Sequence, residues 1–342
     1  MRALAAGAAL IVAAALVGGC AEAPQRPTEV ISLPQLLAPA SPVVARDDDY
    51  VIVRAATGDT PAKLAERYLG DRDKAFWIAE RNAAASFQPG QIVVVPLRHA
   101  NPLGVHAGGY QTVAILCYHR FGPKAAQLTV TPAAFEAQMA FLAQNGYTVI
   151  PFSRLEAYLQ GERPLPRKSV IVSIDDGYRS TYEIAYPILA RHGFTGTLFL
   201  YSDFVGARDA LTWTQMRELQ ESKVIEIQPH SKTHANLALR LPGETDAQYR
   251  ERIRREVDTP VNAIQDRLAV PSVTFAYPYG DVNEVVIDTL KRRGVRLAAT
   301  VTPGGNGFFA YPYLLRRTMV YGTDSLDAFK AKLVTFVPHA QR

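Results

Sequence analysis

Three short stretches hold residues whose types and spacing could do chemistry. Asp175 and Asp176 follow the apolar run Ser169–Ile174 and precede Gly177. Two adjacent carboxylates at a strand end are costly to bury unless a cation or a proton transfer uses them. Taken alone, they also suit a helix cap and turn. His230 and His234 stand four residues apart, after the strand-like Val224–Gln228 and Pro229. Two imidazoles at that spacing converge on one metal where the local backbone allows it. A pair of surface histidines is the plain alternative. One Asp with two His suits zinc or another divalent transition metal, with water in the open positions. Such water becomes acidic enough to attack an acyl carbon. The third stretch, Phe275-Ala276-Tyr277-Pro278-Tyr279-Gly280, ends another apolar run. Its Pro-Tyr-Gly turn could present a backbone N–H, the donor a developing oxyanion requires. By itself it reads as a tight aromatic turn.

These stretches need elements to hold them. Strand-like runs fall at 112–118, 147–150, 169–174, 196–201, 223–228, 273–277, 296–301 and 314–320. Helical patterns lie between them at 131–145, 153–160, 179–192, 212–222, 245–268 and 282–293. Continuous apolar strands alternating with helices predict a parallel α/β sheet or barrel. In such barrels chemistry gathers where the strands end at their C-terminal face. All three stretches fall at such ends.

The order IDDG, HSKTH, AYPYG, each after a strand, resembles the polysaccharide deacetylases of carbohydrate esterase family four over roughly residues 112–330. The resemblance implies an α/β fold, a distorted (β/α) barrel. It implies metal-dependent hydrolytic N-deacetylation of a polysaccharide containing N-acetylglucosamine. Asp175 then matches the catalytic base and Asp176 the metal carboxylate. His230 and His234 match the metal histidines, and Tyr279 the residue whose N–H helps form the oxyanion hole. The implied cofactor is a divalent metal, zinc, with cobalt or nickel as alternatives. Water activated by the metal and deprotonated by Asp175 would attack the acetamide carbon, releasing acetate and a free amine.

Two departures from the family pattern stand out. Phe275 occupies the place where many relatives carry an Arg that orients the base. Arg317 could supply the guanidinium instead, with Arg316 as the alternative. The Leu-x-His motif that supplies a general acid in many relatives is not visible, and His339 lies in a tail that reads as frayed. His119, in Cys-Tyr-His-Arg-Phe at the end of the first barrel strand, is better placed as acid or site wall. That start, AYPYG, and GGNGFF at Gly304–Phe309 look like the branch acting on exported poly-N-acetylglucosamine. Cys117 reads as a buried structural thiol. Trp213 suits a sugar groove or the core equally, and His192 reads as a helix C-terminal residue.

The N-terminal third carries a different kind of information. Arg2 precedes an apolar stretch, Ala3–Val17, that ends in Gly18-Gly19-Cys20. It is too short for a comfortable membrane span and reads as a secretory segment with a lipobox. Acylation at Cys20 would hold the protein on a membrane without spanning it. Ala21 favours the outer membrane, facing the periplasm. Residues 20–47, rich in Pro and Ala, read as a tether. Residues 48–98 resemble a small α+β LysM module: YVIVRAATGDT, LAERYLGD, Asn82, PGQ and VVVP carry the likeness. The resemblance implies binding to N-acetylglucosamine-containing glycans. Residues 99–111 read as a linker and 112–335 as the catalytic domain. Across 342 residues, the +5 charge includes no Lys/Arg run dense enough for a nucleic-acid surface. The expected partner is a glycan. Poly-N-acetylglucosamine-type exopolysaccharide comes first and peptidoglycan second. De-O-acetylation, as in xylan esterases, is a lesser reading. A catalytically silent glycan-binding lipoprotein is the reading from another class.

Overall fold

The computed structural model describes residues 41–339, in two compact units, one ending at Val95 and one beginning at Pro96. The segment 1–40, with Cys20 and most of the Pro/Ala-rich stretch, lies outside the described residues.

In the first unit, strands Val43–Arg46, Tyr50–Arg54 and Ile92–Pro96 form one sheet in that order. Helices Pro61–Leu69 and Ala75–Asn82 connect the last two. Thr60 caps the first helix by accepting the Lys63 N–H at 3.2 Å, and Pro61 sits where a missing N–H costs nothing. Val51, Val53, Leu64, Ala65, Ile78, Val93 and Val95 are buried. The Asn82 amide bonds both polar groups of the Val94 backbone, at 2.7 and 2.9 Å. Val43–Arg46 falls in the segment read as tether. It is Pro-free and begins with two β-branched residues, and it pairs antiparallel with Tyr50–Arg54.

The second unit is built on a sheet of parallel strands in the order Ile225–Pro229, Gly196–Leu200, Ser169–Asp176, Val113–Tyr118. Thr318–Met319 continues it in parallel beside Val113–Tyr118, and Gly305–Asn306 pairs antiparallel with the start of that strand. Every residue of Val113–Tyr118 is buried, which is why the run is apolar without alternation. Strands Thr274–Ala276 and Leu297–Ala299 form a separate parallel pair. A side chain bridges that break: the Gln228 Oε1 accepts the N–H groups of Val273 and Thr274, both at 3.0 Å. On the far side, backbone bonds join Ala298 to Pro312 and Leu315, and Thr300 to Leu315. The circuit is therefore a barrel interrupted at a seam, and the expected strands at 273–277, 296–301 and 314–320 are present in shortened form.

Two other regions differ from the sequence expectation. The helix expected at 179–192 begins as a π turn, Thr181–Ala185, before the α-helix Tyr186–Arg191. Pro187 has no N–H to return to the Glu183 carbonyl, so the regular ladder cannot run through. The stretch read as linker 99–111 holds strands Val105–His106 and Gly109–Gln111. The second of these pairs with Phe336–Pro338, tying the start of the unit to its end. A Cβ at Gly109 would collide with the Val337 carbonyl, so only glycine permits this approach. The tail around His339 is consequently paired rather than frayed.

Candidate active site

The strand Ser169–Asp176 delivers both carboxylates to the C-terminal mouth of the barrel. Successive strand side chains ordinarily point to opposite faces. Asp176 adopts φ 76°, and both carboxylates reach the same atom, with Asp175 Oδ2 and Asp176 Oδ1 at 3.8 and 3.9 Å from His230 Nε2. His234 Nε2 lies 3.3 Å from Asp176 Oδ1. Four coordinating atoms around zinc, each about 2.1 Å from it, stand about 3.4 Å apart. The donor atoms of Asp176, His230 and His234 all lie within 4.8 Å of one another. They fit a divalent cation by type and by spacing.

The tautomer of His230 suits this use. Its Nδ1 lies 2.7 Å from the Ala276 carbonyl, which can only accept, so Nδ1 carries the proton and Nε2 presents a lone pair. The third motif's strand thus orients the second motif's imidazole. Burial, aided by the His234 and Arg317 charges, pushes His230 down to about 3. Burial also lowers His234. Both rings are neutral at neutral pH, the form that a metal would require. Burial, reinforced by Asp175, raises Asp176 to about 6.

Asp175 has the opposite surroundings. Arg317 donates to its two oxygens at 2.7 and 2.8 Å, a bidentate pair with both side chains almost fully buried. The Arg317 Nε donates to the Thr300 carbonyl at 2.9 Å, and its guanidinium lies over the Phe199 ring. Burial alone would raise the Asp175 carboxyl. The charges of Arg317 and His230 outweigh it and hold the group well below the usual carboxylate range. Arg316 is exposed, as alternation along the chain from a buried Arg317 requires. Cys117 donates its thiol to Asp175 Oδ2 at 3.4 Å, a contact its reading as an inert core thiol did not anticipate.

His119 follows the strand Val113–Tyr118 and shares a cluster of donor atoms with Cys117 and Asp175. Its buried Nδ1 has no hydrogen-bond partner among the described residues. Tyr279 occupies the turn after Thr274–Ala276 at φ 62°, with its ring 4.8 Å from the His234 ring. Of the seven non-glycine residues at positive φ among the described residues, four lie in these motifs: Asp176, Ser231, His234 and Tyr279. Such conformations persist only where the surroundings enforce them, and they gather at functional sites.

Other candidates lie elsewhere. His339 is tied by its N–H to Gly108, near the start of the strand whose far end carries His119. His192 ends its helix 2.6 Å from Glu136. Trp213 opens the helix Trp213–Glu221 and packs half-buried against the main core.

The polysaccharide deacetylase family model matches residues 162–298. The chain is 25% identical over 245 residues to the poly-beta-1,6-N-acetyl-D-glucosamine N-deacetylase of Escherichia coli K12, covering 61% of this chain and 36% of that protein. The chain thus spans about a third of that relative's length. It is 29% identical over 217 residues to YxkH of Bacillus subtilis, covering 64% of this chain and 74% of that one. The fold is shared with the Streptococcus pyogenes deacetylase PplD, at TM-score 0.59 and 21% identity, over 65% of this chain and 98% of that one. Both carboxylates, both histidines and Tyr279 fall within the matched residues 162–298. Arg317, supplied by a later strand, falls outside them.

Proposed function

We propose that this protein is a metal-dependent hydrolase that removes acetyl groups from the amines of an N-acetylglucosamine polymer. The observation that carries this reading is the pairing of two adjacent carboxylates with two different partners. Asp176 faces His230 and His234, while Asp175 is gripped by Arg317 beside them. Asp176, His230 and His234 are the residues that would hold the cation. When bound there, a divalent cation supplies Lewis acidity and acidifies water.

The remaining roles belong to the chain. Asp175 takes the proton from the attacking water. Arg317 keeps its carboxylate ionised and aimed, so it accepts only from a partner already made acidic. The Tyr279 N–H, held out by a left-handed turn, donates to the oxygen that becomes negative as the acetamide carbon turns tetrahedral. His119, with one ring nitrogen unsatisfied, stands as the acid that protonates the departing amine. Acetate and a glucosamine amine leave.

The name of the Escherichia coli relative supports poly-N-acetylglucosamine-type exopolysaccharide as the substrate, with peptidoglycan second. The first unit, with its strand, helix, helix, strand order, serves as a LysM-like glycan-binding module. A lipid on Cys20 anchors the protein in the envelope, in the outer membrane facing the periplasm. Anchor and module together raise the effective concentration of enzyme at an insoluble polymer.

The test is acetate release by purified protein loaded with zinc, cobalt or nickel. N-acetylglucosamine oligomers and peptidoglycan are assayed in parallel, with Asp175→Asn as control. Release from the oligomers that the control abolishes supports the reading. Release from peptidoglycan alone moves the substrate. No release with any metal, alongside retained glycan binding, sinks the enzyme reading in favour of a silent binding protein.

A further inference from the structure

The loop that carries both histidines has little secondary structure of its own. Ser231 and His234 both adopt left-handed backbone, at φ 73° and 60°. Each such residue is strained and needs external support. Part of that support is local, since the Ser231 Oγ accepts the His234 N–H at 2.9 Å. On one flank, the N–H groups of Ser202 and Asp203 donate to the Ser231 and Lys232 carbonyls at 3.2 and 2.9 Å. The Glu256 side chain supports the loop as well.

Glu256 belongs to the long helix Asp246–Leu268, on the face it shares with Ile253, Val257 and Pro260. A carboxylate on the apolar face of a helix is costly unless fully partnered. Glu256 is 6% exposed, and its hydrogen bonds among the described residues go to the histidine loop. Its Oε2 accepts the Lys232 and Thr233 N–H groups at 3.0 and 2.9 Å, and its Oε1 accepts the Thr233 hydroxyl at 2.8 Å. Both residues lie between His230 and His234.

We propose that Glu256 is a positioning residue for the metal site: it fixes the His230–His234 loop so that both Nε2 atoms face Asp176. This rests on the reading of Asp176, His230 and His234 as metal ligands. Glu256 acts through hydrogen-bond reach rather than through its charge. Gln at 256 keeps the reach, because its amide oxygen can take both N–H groups and its NH2 can donate to the Thr233 hydroxyl, which also accepts. Asp keeps the charge but is one methylene too short to span the gap. Ala leaves the Lys232 and Thr233 N–H groups without this acceptor.

The experiment measures zinc affinity of the full protein by competition with a chromogenic chelator, and the visible spectrum of the cobalt form. Wild type, Glu256→Gln, Glu256→Asp and Glu256→Ala are compared, and near-ultraviolet circular dichroism checks that each metal-free variant is folded. The expected order is wild type and Gln within about threefold. Asp and Ala should lie about 10–100-fold weaker, the range typical for partners that orient metal ligands. A structural role confined to the helix would leave zinc affinity and the cobalt spectrum unmoved in every folded variant. Asp at wild-type affinity, or Gln weaker than Asp, overturns the proposal. If Ala fails to fold, the Gln and Asp pair decides the matter alone. Wild type that binds no zinc overturns the metal reading itself, and this inference with it.

Discussion

Asp175 and Asp176 are chain neighbours, yet the regions around them have opposite designs. The Asp175 side is buried and charge-compensated: Arg317 donates to both oxygens, Cys117 adds a thiol, and the carboxyl sits well below its usual range. The Asp176 side is open to ligands: its oxygen faces two neutral imidazoles, and its carboxyl is raised to about 6. One residue is compensated by protein charge, and the other lacks it. Divergent environments around a carboxylate pair are how one fold assigns two jobs to one residue type. The protein gives Asp175 a guanidinium of its own and leaves Asp176 facing two neutral nitrogen donors.

The sharpest way to break that contrast is to remove Arg317. Arg317→Ala leaves a buried, uncompensated carboxylate, and breaking one side of such a pair costs about 3–5 kcal/mol. Urea unfolding is expected to show that loss. Arg317→Lys should recover little, because an ammonium cannot make the bidentate contact. The double variant Arg317→Ala with Asp175→Ala should regain part of the stability, since the stranded charge is gone. A double variant no more stable than Arg317→Ala would mean that the guanidinium serves packing, not the carboxylate.

Replacing the carboxylates one at a time tests their division of labour. Asp175→Asn is expected to lower kcat by about 10²–10⁴-fold, the usual range for a lost acid–base group, with zinc affinity within a few-fold of wild type. Asp176→Asn should lose zinc affinity itself. Equal loss of zinc binding in both would merge the two jobs into one.

Part of this arrangement is legible in the sequence because its chemistry is local. Each carboxylate or histidine motif follows a continuous apolar strand, so its place at the barrel mouth comes from chain order alone. Cys117, Gln228 and Glu256 were illegible for the opposite reason. Each acts on a partner distant in sequence: Cys117 on Asp175, Gln228 on Val273 and Thr274, and Glu256 on the histidine loop. A lone Glu in the helix segment Arg254-Arg255-Glu256 reads as a solvated charge; only its helical phase with Ile253, Val257 and Pro260 marks it as inward. The π turn before Pro187 was legible in principle, since proline inside a helical pattern always removes a bond.

The open side carries a pH signature. A carboxyl raised to about 6 holds its proton below that pH, and the cation must displace it. Zinc affinity should therefore be maximal above about pH 6 and fall about tenfold per pH unit below it. His230, lowered to about 3, does not add a second proton until far more acidic conditions. Zinc titrations between pH 5 and 8 read the slope. A flat profile across that window would remove the contrast between the carboxylates, because it would mean Asp176 is ionised throughout.

The smallest expected effect lies on the closed side, at Cys117. Its thiol is pushed far up by burial and meets Asp175 at 3.4 Å, so it is a weak neutral donor to an anion that already has two strong ones. Cys117→Ala removes one buried sulfur and opens a small void, with a cost of about 1–2 kcal/mol by analogy with trimming other buried side chains. The reaction should barely notice: kcat within about threefold and the same pH profile, because Arg317 still holds Asp175 ionised. Cys117→Ser should be the worse variant for stability, since it places a stronger polar group in the same dry pocket. If either change instead shifted the acid limb of the kcat profile upward, the thiol would be sharing Arg317's task. The closed side would then need two donors, not one, to keep its charge.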